Sequence, residues 1–183
     1  MKGVMLGFGL ALALSIIGAY LLLISGRIPA NADSAPGSLE TWMASTSLQA
    51  TLGREAPKDQ NPVPLNEGNL LDGIALFGQN CAICHGSSKG DASPSPIAKG
   101  LYQKPPQFAS EGVEDDPEGV SFWKMKHGIR LTGMPSFAPT LSDTQMWTIA
   151  LFLKHMDALP PAAQQAWQRV QNVPATTSRK SQG

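Results

Sequence analysis

This sequence has very little cysteine and no net charge. Only 2 of its 183 residues are cysteine, and the 15% that are charged divide into 14 basic and 14 acidic residues. The cysteines lie three positions apart, too close for a structural disulfide staple. Balanced charge argues against the basic footprint of a nucleic-acid-binding protein. Internal repeats and strand patterns are also lacking, so we expect an all-α protein with no nucleic-acid partner.

A long uncharged run begins the chain. Residues 3–24 carry no charged side chain and lie between Lys2 and Arg27. About 20 apolar residues suffice to cross a bilayer, whereas the apolar core of a secretory signal is usually shorter. Without a polar stripe, the run does not suit a buried globular helix. We therefore expect residues 1–26 to form a transmembrane anchor. The A-x-A pattern at 30–32 leaves a cleaved signal peptide open, and either alternative exports the rest of the chain.

The remaining chain divides into three predicted parts. Residues 27–65 are expected to be a linker and a short helix, residues 66–159 the main domain, and residues 160–183 a short helix and a disordered tail from Pro174. Apolar residues of the first short helix could form one side of it, packed either against the main domain or at the lipid surface. These are Leu39, Trp42, Met43, Leu48 and Leu52.

Helix signals in the main domain are local. Asn66 is a plausible N-cap for a helix reaching residues 79–81, and Pro117 or Glu118 opens another through about 127. Ser142 with Gln145 makes a capping-box pattern for a helix running to about 159. Residues 86–116 between these helices are expected to form one long loop.

The strongest motif is Cys81-Ala-Ile-Cys84-His85. Two cysteines separated by two residues can bond both vinyl groups of one haem, and the next residue then offers an imidazole to the iron. A thioredoxin-like dithiol would come after a strand, and none is evident. A zinc site needs four ligands, which the other histidines do not supply by spacing. The motif therefore predicts one covalently attached haem c, with His85 as a metal ligand.

A sixth ligand to the iron is predicted at Met134. This residue lies in a loop between Gly133 and Pro135, whereas Met125, Met146 and Met156 fit helical segments where methionine usually serves packing. A thioether ligand would favour Fe(II) and raise the potential. His127, His155 or an open sixth site remain alternatives.

Residues 66–159 resemble a class I monohaem cytochrome c, in a membrane-anchored form. The resemblance rests on CAICH after a helix, the segment HGIRLTGMPSF, and a final helix holding Trp147. It implies a fold of three to five helices around one haem, with the first and last helices crossing near Gly78 and Trp147.

The resemblance also carries the functional expectations. It implies haem attachment outside the cytoplasm, and hence a haem domain in the periplasm, tethered to the cell inner membrane by one helix. We expect a non-enzymatic electron carrier between a redox donor and acceptor, with no small-molecule substrate. The alternatives are a haem subunit of a larger membrane-bound oxidoreductase and a haem gas sensor.

Several polar and aromatic residues have two interpretations. Tyr102, Lys104, Trp123 and Arg130 are candidate partners of the haem propionates, although the aromatic ones are more simply packing residues. An acidic run at 111–118 is most simply a solvated loop, or else a dock for a basic redox partner.

Overall fold

The computed structural model describes residues 2–88 and 94–170. Within these ranges the chain is helical and has no strand, as predicted. It divides into two compact units, Met1–Ser34 and Ala35–Gly183. The helices are α1 (Lys2–Ile24), α2 (Ser38–Glu55), α3 (Glu67–Asn80), α4 (Ala82–His85), α5 (Pro96–Gly100), α6 (Phe108–Glu111), α7 (Glu118–His127), α8 (Asp143–Lys154) and α9 (Pro161–Trp167). The predicted tail from Pro174 lies outside the described residues.

The first unit is dominated by α1. Its apolar stretch Gly3–Ile24 has 22 residues, none of them buried. At 1.5 Å per residue such a helix is about 33 Å long, which matches the hydrocarbon thickness of a bilayer. Length and composition therefore fit a membrane span, and a signal sequence shares both features.

Side-chain caps fix where α3 and α8 begin. Asn66 accepts a hydrogen bond from the Asn69 backbone N–H at 2.9 Å. Ser142 and Gln145 form the predicted capping box, with each side chain bonded to the other residue's backbone N–H. Both caps satisfy N–H groups that a helix start leaves without partners. Both predicted starts are confirmed.

The core of the second unit is the contact between α3 and α8, which meet at Gly73. A Cβ atom at this position would lie 2.5 Å from the Thr148 carbonyl oxygen and 2.8 Å from Phe152 Cβ. Since real Cβ atoms essentially never come within 3.0 Å of an atom from another part of the chain, only glycine permits this approach. The absence of one side chain thus sets the distance between the two helices.

The prediction that α3 and α8 cross near Gly78 and Trp147 is wrong for α3, where the close contact is at Gly73. On α8 the contact is at Thr148, one residue after Trp147. A Cβ atom at Gly78 would meet Val170 Cγ1 at 3.5 Å, an ordinary contact with the chain after α9. Trp147 instead stacks on Phe122 of α7, with ring centroids 4.3 Å apart. The two residues therefore contact other parts of the domain.

Three aromatic rings join α3, α8 and α9. Phe77, Phe152 and Trp167 have ring centroids 5.2 to 5.6 Å apart in every pair. Phe77 and Phe152 are fully buried, and tilted or edge-on aromatic pairs stabilise beyond the area that they bury. The helix after the double proline is consequently part of the core.

α8 ends at Lys154, five residues before the predicted end. The chain turns at His155, whose backbone N–H donates to the Phe152 carbonyl at 3.1 Å, and the Ala158 N–H donates back to His155 at 3.1 Å. These i to i+3 bonds mark turns rather than a continuing α-helix. The prediction that α8 continues to the proline pair at 160–161 is therefore wrong.

α2 is amphipathic, but with a different face from the one predicted. Leu52 is 5% exposed, whereas Leu39, Trp42 and Met43 are 66%, 63% and 57% exposed. The expectation that these residues form one side together with Leu48 and Leu52 is wrong. On a helix of 3.6 residues per turn the two groups lie on nearly opposite sides.

The extended segment after α2 packs onto α7 and α8. Asn61 Nδ2 donates to Glu118 Oε1 at 2.9 Å and to the Trp147 carbonyl at 3.0 Å, while Asn61 Oδ1 accepts from the Val63 N–H at 2.9 Å. A Cβ atom at Gly119 would lie 1.9 Å from the Pro57 carbonyl oxygen. The segment is therefore fixed by hydrogen bonds and by close backbone contact.

Candidate functional site

The CAICH motif at 81–85 forms a helical turn at the end of α3. The Cys81 N–H donates to the Phe77 carbonyl at 2.8 Å, and the N–H groups of Cys84 and His85 both donate to the Cys81 carbonyl, at 3.0 and 2.9 Å. Residues three and four apart on a helical turn are neighbours on one side. The backbone therefore brings both cysteines and the histidine to the same side.

Both cysteines are free thiols. Burial raises the pKa of the Cys81 thiol to about 12, and burial also raises the pKa of Cys84. A reactive dithiol needs the opposite, a lowered pKa that supplies the thiolate. The environment of this pair therefore argues against the redox-dithiol alternative.

The ring of His85 is held in one orientation. Its Nδ1 lies 3.0 Å from the Pro106 carbonyl oxygen. A carbonyl only accepts, so Nδ1 carries the proton and Nε2 keeps its lone pair. Burial lowers the pKa of the imidazole, which favours the neutral, metal-binding form. Such a bond to the second nitrogen is how proteins orient a metal-ligating histidine.

The Phe108 ring lies against the imidazole of His85. The two ring centroids are 4.2 Å apart at an angle of 14°. Phe108 is in turn near Phe77, with centroids 6.1 Å apart. The histidine is thus fixed by a hydrogen bond at one nitrogen and by an aromatic ring on one face.

Two polar side chains hold the backbone of the motif. Gln107 Nε2 donates to the Cys84 carbonyl at 2.9 Å, and Ser95 Oγ donates to the Ile83 carbonyl. Gly86 has φ of +83°, and a Cβ atom there would lie 2.8 Å from Gln107 Oε1. Pro106, Gln107 and Ser95 were missed by sequence reasoning, because no spacing rule connects them to the motif.

Met134 is half-buried in the loop after α7. Its carbonyl accepts from the Ile129 N–H at 3.1 Å, and its N–H donates to Thr132 Oγ1 at 3.1 Å. Gly128 has φ of +69°, and a Cβ atom there would lie 2.8 Å from the Met134 carbonyl oxygen. Glycine is therefore needed at 128 for both its conformation and the close approach of the methionine segment.

The two other histidines lie at helix ends. His155 Nδ1 is 2.9 Å from the Leu151 carbonyl oxygen, one turn back in α8. The His127 ring centroid is 4.9 Å from that of Trp123 on α7. Each contacts its own helix, as a structural or surface histidine does.

Two of the candidate propionate partners hydrogen-bond to protein groups. The Tyr102 hydroxyl donates to Glu40 Oε1 at 2.7 Å, which raises the tyrosine pKa. Lys104 Nζ donates to the carbonyls of Lys99 and Leu101 at 2.6 and 2.7 Å. The role of Arg130 as a propionate partner stays a prediction.

Most of the acidic run is engaged by nearby groups. Asp116 pairs with Lys124 at 2.7 Å, and Glu111 accepts from the Gln107 N–H at 2.8 Å. Glu114 accepts from the Val113 N–H at 2.7 Å, and backbone hydrogen bonds lower its pKa. These contacts favour a local structural role over a free acidic dock.

The donor set as a whole fits a covalently bound haem. Two neutral thiols, an imidazole with an available Nε2 and a thioether loop are the groups that such a haem needs. Within residues 2–88 and 94–170, no three His, Cys, Asp or Glu side chains cluster as a metal site.

A family model agrees with this assignment. Residues 70–157 match the model of the cytochrome c family. A chain of the reducing HAO-like protein complex of Kuenenia stuttgartiensis is similar at 24% identity, with a TM-score of 0.41, over 57% of this chain and 50% of that one. The match thus spans half the length of that chain. No curated protein matches. Residues 70–157 therefore form a class I cytochrome c domain.

Proposed function

We propose that this protein is a one-electron carrier with a single haem bonded to Cys81 and Cys84 and ligated by His85 and Met134. The cytochrome c domain implies haem-based electron transfer and a covalently bound c-type haem with iron. The observation that carries the residue assignment is the 3.0 Å contact between His85 Nδ1 and the Pro106 carbonyl. This contact leaves Nε2 of His85 free to bind the iron, and His85 directly follows the second of the two cysteines.

The bound haem would supply a reversible one-electron change at its iron. The residues around it have supporting tasks. Pro106 keeps the His85 tautomer and ring orientation, and Phe108 covers one face of the imidazole. Gln107 and Ser95 hold the backbone carbonyls of the motif, so little reorganisation would accompany a change of charge.

Met134 is proposed as the second axial ligand. It is half-buried, belongs to a loop with its own hydrogen bonds, and packs against the core. Met125 and Met146 are nearly or fully buried inside helices, where they are packing residues. Met134 is only partly buried and lies in a loop, so its thioether is the better candidate for binding the iron.

The number of haems and the location are inferred from the sequence and the fold. Two cysteines in the whole chain allow one doubly attached haem. We propose that α1 anchors the protein in the cell inner membrane and that the haem domain lies in the periplasm, where thioether attachment takes place in this family. The partners would be redox proteins, one donor and one acceptor, with no small-molecule substrate and no catalysis by this chain.

A redox titration with optical spectra tests this function. We expect a reversible one-electron transition and, in the oxidised protein, the long-wavelength sulfur-to-iron charge-transfer band. Met134→Leu should remove the band and lower the midpoint potential, because thioether ligation favours Fe(II). Met156→Leu is the matched control, since it removes a thioether from a turn after α8 and should leave both unchanged. Retention of the band in Met134→Leu would contradict the ligand assignment.

A further inference from the structure

One face of α2 is exposed and apolar. Leu39, Trp42 and Met43 lie three and four positions apart, hence on one side of the helix, and are 57–66% exposed. The same side continues through four more exposed residues without a charge. These are Thr46, Gln49, Ala50 and Gly53. Three large apolar side chains together on a surface mark an interaction site more often than scattered ones do.

Two other sides of α2 are fixed to its own domain. Leu52 is buried at 5% exposure, and Glu40 accepts a 2.7 Å hydrogen bond from the Tyr102 hydroxyl. Contacts near both ends therefore hold the helix. The apolar face is presented outward rather than left free to fold back.

The sequence limits how far this face can lie from a membrane anchored by α1. Thirteen residues, 25–37, separate Ile24 from Ser38. A chain of that length spans at most about 45 Å when fully extended and about 20 Å on average when flexible. A tether this short gives a high local concentration of bilayer surface, so a weak contact suffices for docking.

We propose that Leu39, Trp42 and Met43 dock α2 onto the bilayer interface beside the anchor. Tryptophan is enriched at the level of the headgroups, where its ring meets both apolar and polar surroundings. The basic residue of α2, Arg54, lies in its last turn and pairs with Glu55 at 2.7 Å. The part of the face around Leu39, Trp42 and Met43 carries no Lys or Arg, so the occupant is the apolar part of the interface rather than an anionic headgroup. Docking would hold the haem domain in one orientation at the membrane. The inference rests on the proposed membrane anchor.

Photo-crosslinking in lipid tests the proposal on the full-length haem protein. The protein is reconstituted into phosphatidylcholine vesicles with a diazirine group in the lipid tail, irradiated and digested with trypsin. Cleavage after Lys2, Arg27 and Arg54 puts α1 and α2 into separate peptides, residues 3–27 and residues 28–54. We expect lipid adducts on both, with those of the second mapped to residues 39–43.

The test variant is Leu39→Ser/Trp42→Ser/Met43→Ser. Its control is Ile97→Ser, which removes an apolar side chain that is 53% exposed on α5. The triple variant should lose adducts on the 28–54 peptide by at least about tenfold, since burial of even one such side chain provides that factor. Ile97→Ser should lose none.

Each other outcome overturns a specific claim. Adducts on the 3–27 peptide alone would refute the docking and leave the anchor intact. Adducts on the 28–54 peptide that persist in the triple variant would refute the role of these three residues. Absence of lipid on the 3–27 peptide, or absence of that peptide from the mature chain, would refute the anchor and this inference together.

Discussion

Gly73→Ala is expected to destabilise the domain by forcing α3 and α8 apart. The added Cβ atom would lie 2.5 Å from a backbone oxygen and 2.8 Å from Phe152 Cβ. The helices must therefore separate by roughly half an ångström or more at their contact. Overpacking of this kind costs about 1–3 kcal/mol. The cost outweighs the gain of about 1 kcal/mol that alanine brings to a helix interior.

Gly78→Ala is the matched control in the same helix. Its Cβ atom would meet Val170 Cγ1 at 3.5 Å, an ordinary contact, so the change should be neutral or stabilise by up to about 1 kcal/mol. The assay is thermal unfolding of the haem-loaded protein in detergent, monitored by circular dichroism. For a domain of this size each kcal/mol shifts Tm by about 4–8 °C. Equal Tm values for the two variants would refute the assigned contact.

Three further variants test other parts of the structure. Asn61→Ala should cost about 2 kcal/mol in urea unfolding, because it leaves the Val63 N–H without its partner and removes the bonds to Glu118 and to the Trp147 carbonyl; no loss would show that water replaces the side chain. Ser142→Ala should cost about 1 kcal/mol through loss of the α8 cap, and an unchanged urea midpoint would contradict the capping box. Gly128→Ala should weaken the charge-transfer band by displacing Met134, whereas Gly112→Ala, also at positive φ but 3.2 Å from a flexible Glu114 carboxylate, should leave it intact.

Features set by a few neighbouring residues could be predicted from the sequence. The caps at Asn66 and Ser142 each join a side chain to a backbone N–H three residues later. The start of α7 was indicated by Pro117 and Glu118 in the same way. These hydrogen bonds join residues three positions apart, so a short sequence motif is enough to predict the helix boundaries.

Features set by distant contacts could not be predicted. Gly73 and Gly78 look alike in the sequence, and only the packing of α3 shows which one meets α8. The Pro106 carbonyl is 21 residues from His85. Its identity depends on the path of the loop, which contains the short helices α5 and α6 where a continuous loop was expected.

The face of α2 shows a different limit. Its apolar residues were assigned to one side from their spacing, yet Leu52 is buried while Leu39, Trp42 and Met43 are exposed. The sequence pattern alone does not distinguish an apolar face that packs in a protein core from one that contacts a lipid surface. The ligand role of Met134 likewise stays a prediction, because it depends on the position of the thioether relative to the iron.

The mass of the intact, denatured polypeptide tests the central claim most directly. The protein is produced with export and haem attachment, unfolded in acid and weighed beside the Cys81→Ala/Cys84→Ala variant. We predict that the wild-type chain carries the added mass of one haem and that the variant carries none. A wild-type chain without added mass, or a variant that retains it, would contradict the assignment of the two cysteines.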